Sequence, residues 1–109
     1  MLASANRIKK SKDFGAVFKN SKNLKTRLFV LKTKRNNLGL NRFGFVVSQK
    51  VSKKATVRNK VKRRLAAAVK SEIERIRTGT DLVIIALPGI EGEKFSIIKE
   101  IMHKICSNL

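Results

Sequence analysis

Five cationic side chains crowd into the nine residues Val57-Arg58-Asn59-Lys60-Val61-Lys62-Arg63-Arg64-Leu65, the densest chemical feature of this 109-residue sequence. Ammonium and guanidinium groups at such spacing make and break no bonds. They bind polyanions, and charge-assisted contacts to phosphate are the strong ones open to them. Wound as a helix, the segment places Val57, Val61 and Leu65 on one apolar stripe. Arg58 and Lys62 flank it on one side, Lys60 and Arg64 on the other, and Asn59 and Arg63 point outward. One face meets a core and every other face is armed for phosphate. Further basic contacts are expected from Arg7 and Lys10 in the arm 1–10, and from Lys50, Lys53 and Lys54 just ahead of the helix.

Other reactive groups are sparse. His103 is the single histidine and Cys106 the single cysteine, so neither an internal disulfide nor a cysteine-based zinc site can form. His103 falls among polar positions of a terminal helix and is expected at the surface without a role. Cys106, beside Ile105, is expected to be a small partly buried residue rather than a nucleophile. Glu72/Glu74 and Glu91/Glu93 lie outside the basic region, and no acidic pair has the spacing of a metal-assisted hydrolase. Without Trp or Tyr, base stacking falls to Phe, the lone His or Arg planes. The net charge of +19 is uneven: residues 1–70 set 21 Lys and Arg against Asp13 alone, whereas residues 71–109 hold five basic and six acidic groups. Concentrated charge of this kind makes a polyanion the expected partner. No apolar run approaches the ~20 residues of a membrane span, and the N-terminus lacks the apolar core of a secretory signal. A cytoplasmic protein of one domain, 1–109, is expected.

The elements that must position these groups follow from periodicity. Ser11 reads as an N-cap with Asp13 in the first turn, and Phe14, Val17 and Phe18 form one stripe of a helix ending near Asn20. Residues 21–27 hold a short strand or turn. Strands are predicted over 28–33 and 42–48, paired antiparallel because their loop is too short for a helical crossover. Alternation places Val30 with Lys32, and Val46 with Ser48, on one face. Phe29, Leu31, Phe43, Phe45 and Val47 take the core face. Thr56 is expected to cap a helix of about six turns through Val57, Val61, Leu65, Ala68, Val69, Ile73 and Ile76, closed by Gly79. The apolar run 82–87 suits a strand buried on both faces. Phe95, Ile98, Ile101, Met102 and Ile105 mark a last helix. The sum is an α+β sandwich with a mixed sheet.

These residues, in register, resemble one family: the protein subunit of bacterial ribonuclease P. Its signature is a Gly-hydrophobic-Val-Ser-Lys-Lys strand end followed by a helix beginning Arg-Asn-Arg-x-Lys-Arg. This chain reads Gly44-Phe45-Val46-Val47-Ser48-Gln49-Lys50 and then Arg58-Asn59-Lys60-Val61-Lys62-Arg63. The likeness extends to Asp13-Phe14…Val17-Phe18, to Arg27–Leu31 and to Asp81–Ala86. Lys60 and Gln49 stand where Arg and Lys are common, and Lys32 where relatives often carry an aromatic.

The resemblance implies an α-β-β-β-α-β-α two-layer sandwich with a left-handed βαβ crossover, the opposite of the usual hand. It implies a holoenzyme whose RNA binds Mg²⁺ and cleaves precursor tRNA to release the 5′ leader, while the protein, one copy per RNA, has no activity alone. Arg58, Asn59, Lys60, Lys62, Arg63 and Arg64 would contact that RNA. The leader would lie in a cleft between the first helix and the sheet, at Phe14, Phe18, Val30, Lys32, Val46 and Ser48. Phe14 and Phe18 fit core packing equally well. Two other readings remain: a small basic ribosomal protein binding rRNA, and a DNA-binding regulator. The short tail disfavours the first, and the core-facing stripe of helix 56–77 the second.

Overall fold

The computed structural model describes residues 7–8, 11–19 and 21–107, with backbone alone at 11–14. In chain order the elements are α1 (Ser11–Lys19), β1 (Lys22–Lys25), β2 (Phe29–Arg35), β3 (Arg42–Val46), α2 (Ala55–Lys70), β4 (Thr80–Ala86) and α3 (Phe95–Cys106), with short 3₁₀ turns at Ile73–Arg75 and Ile90–Gly92. The architecture is α+β around a mixed four-stranded sheet in the order β1-β2-β4-β3.

The sheet corrects one expectation. β2 and β3 run in opposite directions but are not neighbours. β4 lies between them, antiparallel to β2 (Phe29 opposite Ala86) and parallel to β3 (Val46 opposite Ile85). The reason is burial. Leu82, Val83 and Ile84 are sealed from solvent, and only a central strand with both faces covered removes such a run from water. The β2–β3 loop has only to cross two strand spacings, about 10 Å, which a few extended residues span. The helical connection therefore joins β3 to β4, through α2.

Alternation then sorts the side chains. Phe29, Leu31, Phe43, Leu82 and Ile84 pack against Val61, Leu65, Ala68 and Val69 of α2 and Ile98, Met102 and Cys106 of α3. Val83 takes the opposite face, with Ile8 and Val17 of α1, flanked by Val46 and Ile85. The main sandwich is the sheet against α2 and α3, and α1 leans on its outer face.

Two helix boundaries differ from the periodic reading. The residue capping α2 is Lys54, not Thr56, and no side chain caps it. At the other end α2 stops at Lys70. The Ser71 hydroxyl donates to the Ala68 carbonyl at 2.7 Å, and the Glu72 and Arg75 amides start a tighter turn. Serine competing for a helix carbonyl favours such an end. Gly79, at φ +84°, therefore closes the turn into β4 rather than the helix, its carbonyl receiving the Asn36 amide.

Asp81 locks this end of the sheet. Arg42 grips its two oxygens at 2.9 and 2.7 Å, and the Asn36 amide donates to Oδ1 at 2.7 Å. No helix of the described residues is long and apolar enough to cross a membrane.

Candidate nucleic-acid interface

α2 presents the basic cluster as its periodicity predicts. Val61 and Leu65 are buried, whereas Asn59, Lys60, Lys62 and Arg63 are exposed. The two flanking arginines are partly committed to the chain itself. Arg58 donates through Nη1 to the Ser52 carbonyl, and Arg64 through Nη1 to the Glu93 carbonyl, both at 3.0 Å. A guanidinium carries five N–H donors, so each retains donors for a ligand while its position is fixed. Arg58 thereby ties α2 to the preceding loop. Val51 anchors that loop in the core, and exposed Ser48, Lys50, Lys53 and Lys54 surround it. Two hydroxyls shape it: the Lys50 amide donates to Ser48 Oγ and the Lys54 amide to Ser52 Oγ. β3 ends at Val46, so Ser48 belongs to this basic loop rather than to the strand. Arg7 is exposed beside β3, where the Ile8 amide donates to the Phe43 carbonyl at 2.8 Å. Lys10 lies outside the described residues.

On the outer face, Val17 is buried and the next residue, Phe18, is 44% exposed. A single residue step along α1 thus separates a core side chain from an open aromatic ring. Val30, Lys32 and Val46 on the same side of the sheet are half-buried. The Lys32 ammonium lies 5.7 Å from the centre of the Phe18 ring and donates to Asn23 Oδ1 at 3.0 Å. These residues form an aromatic and aliphatic floor with a cation at its side, chemistry suited to a single strand. The Phe14 side chain lies outside the described residues.

Sequence reasoning missed two groups. Asn23 escaped because its relevance depends on β1 pairing with β2, which sets Asn23 directly opposite Lys32. His103, expected to be incidental, instead meets buried Glu72: its Nδ1 lies 2.7 Å from Glu72 Oε1 and its Nε2 3.4 Å from Arg75 Nη1. Arginine can only donate, so Nε2 accepts and Nδ1 carries the proton given to Glu72. The signal was available as a buried acid in need of a partner, but only once α2 was known to end before Glu72. Burial, reinforced by Glu72, pushes the Cys106 thiol up to about 12, which leaves it protonated and unreactive near neutrality.

Among the described residues, no three His, Cys, Asp or Glu side chains converge as metal ligands. Asp81 is occupied by Arg42 and Asn36, and Glu72 by His103 and Arg75. Neither of these two buried carboxylates is therefore open to a magnesium ion.

A family model described as Ribonuclease P matches residues 2–109. The ribonuclease P protein component of Thermoanaerobacter sp. (strain X514) is 36% identical over 99 residues, covering 91% of this chain and 84% of the relative. Among solved structures, the Staphylococcus aureus RNase P protein superposes with a TM-score of 0.83 at 31% identity, covering 94% of this chain and 95% of that one. The RNase P protein from Thermotoga maritima gives 0.85 at 28% identity, covering 94% and 96%.

Proposed function

The chain belongs to the ribonuclease P protein family, and from that premise we propose that it is the RNA-binding subunit of an enzyme that removes the 5′ leader from precursor tRNA. The observation that carries this reading is the division of the molecule into two chemically different surfaces. α2 and the loop 48–54 offer exposed cations without aromatics, suited to the phosphates of a folded RNA. The outer face offers a half-open Phe18 ring with Lys32 at its side, suited to a flexible strand. In this reading α2 docks on the catalytic RNA, one protein per RNA, and the groove holds the leader. Mature tRNA lacks the leader, so the protein favours substrate over product.

The RNA supplies the chemistry. Any Mg²⁺ the reaction needs would be held by the RNA rather than by this chain, and would supply activation of the attacking water there. The protein's part is to hold the substrate and to neutralise phosphates that would otherwise repel one another. Binding through many phosphates releases counterions, so affinity falls steeply with salt. A cytoplasmic location suits this work. The ribosomal-protein reading is not favoured, because the family match spans almost the whole chain.

Reconstitution tests the proposal. A bacterial ribonuclease P RNA at low magnesium is incubated with precursor tRNA, with and without this protein, and 5′ ends are mapped. The expected result is cleavage at the mature 5′ end that requires the RNA and is stimulated by the protein. Protein alone should not cut there at any magnesium concentration. Failure to stimulate the RNA, with co-sedimentation of the protein with a ribosomal subunit, would favour the ribosomal reading instead.

A further inference from the structure

The outer face carries a residue that the family signature does not single out. We propose that Asn23 is a positioning residue that fixes the Lys32 ammonium beside the Phe18 ring, so that one leader nucleotide is held by its base on Phe18 and its phosphate on Lys32. This rests on the leader-binding reading above.

Lys32 is the group that has to be held. A lysine on an exposed strand face is a point charge on a flexible four-carbon stem, and left alone it samples many rotamers. Here β1 pairs with β2 so that Asn23 stands directly across from Lys32. Cross-strand partners at this separation meet side chain to side chain. Lys Nζ can only donate, so the amide must turn its oxygen to it, and the bond is 3.0 Å. The Ser21 hydroxyl donates to the same oxygen at 3.4 Å, a second contact that holds the amide oxygen in place. Asn23 thus removes from Lys32 much of the freedom that a phosphate contact would otherwise have to remove on binding.

Phe18 gives the fixed cation its purpose. At 5.7 Å from the ring centre, the ammonium is near the outer limit of a cation–π contact. The ammonium lies over the ring, so an arriving base takes the uncovered part of the ring or displaces this weak contact, and the ammonium, held by Asn23, stays within reach of that nucleotide's backbone. A neutral amide is suited to the task. An aspartate at the same place would hold the lysine more tightly but cancel the field that attracts the phosphate.

The experiment uses the holoenzyme reconstituted with a bacterial ribonuclease P RNA, and measures affinity for precursor tRNA with a single-stranded leader over affinity for mature tRNA. Salt is varied, and Tm of each protein is recorded. N23A should lower the ratio by about two- to ten-fold, the net reach of one hydrogen bond, with Tm and mature-tRNA affinity unchanged. K32A should lower it further and flatten the leader-dependent salt slope by about 0.7, one single-strand phosphate contact. The double variant N23A/K32A should be no weaker than K32A, because Asn23 acts only through Lys32. N23D should lower the ratio despite an intact fold. An unchanged ratio in N23A beside a lowered one in K32A overturns the inference and leaves leader binding standing. Unchanged ratios in N23A, K32A and F18A together overturn leader binding, and the inference with it.

Discussion

Phe18→Ala separates an open ring from a core ring in a single substitution. Full burial of a phenylalanine side chain is worth about 1.5–3 kcal/mol. Phe18 is 44% exposed, so its removal forfeits roughly half of that, about 0.8–1.5 kcal/mol, with no sealed cavity to add. Phe29, fully buried between the sheet and the helices, is the control: Phe29→Ala should cost about 3–5 kcal/mol. At about 4–8 °C per kcal/mol for a domain near this size, the melting curves of the two variants separate cleanly. The RNA assay moves the other way. A base stacked on an aromatic contributes about 1–3 kcal/mol, so F18A should lower the precursor-over-mature affinity ratio by about five-fold or more. F18A melting as low as F29A, with that ratio unchanged, would refute the reasoning and return Phe18 to the core.

Arg63→Ala should leave Tm unchanged, because the side chain is exposed on α2, while affinity for the catalytic RNA falls. Arg58→Ala should weaken RNA binding too, but with a stability loss of about 1 kcal/mol, since the Ser52 carbonyl loses its donor; urea melts and RNA titration at fixed salt check both. Arg42→Ala strands the buried Asp81 carboxylate and should destabilise by about 3–5 kcal/mol, read by chemical denaturation. The Cys106 thiol keeps its proton in the folded protein to about 12, against an ordinary value of 9.0. The unfolded chain therefore binds fewer protons across that window, and the thiol's contribution, full below pH 9, is lost as pH rises through it. Cys106→Ala should flatten the alkaline decline of stability relative to the unsubstituted protein; identical pH curves would contradict it.

Local order was legible in the sequence because it is written in local patterns. Alternation along Phe29–Leu31 and Phe43–Phe45 assigned the core face correctly, and the Val61/Leu65 stripe oriented the basic helix. Adjacency in the sheet was not legible from loop length. The apolar run 82–87 already implied a strand covered on both faces, yet the consequence, that it must separate β2 from β3, is a property of the whole sheet. The boundaries of α2 failed for a similar reason. Ile73 and Ile76 continue the apolar rhythm, but Ser71 and the inward turn of Glu72 toward His103 end the helix before them. The candidate site divided in the same way. Exposed cations on α2 could be read from helical spacing, whereas Asn23 and the engaged nitrogens of Arg58 and Arg64 depend on contacts between distant segments. Phe18, which spacing left open between core and cleft, is half-exposed because α1 turns Val17, not Phe18, onto Val83.

The central claim is that the two surfaces of this protein hold two different RNAs, and site-directed photocrosslinking tests it most directly. A benzophenone amino acid is placed at position 18 in one holoenzyme and at position 63 in another, each bound to precursor tRNA, and the crosslinked strand is mapped. Position 18 should mark the 5′ leader and position 63 the catalytic RNA. Crosslinks from position 18 to the catalytic RNA alone, or from position 63 to the leader, would contradict it.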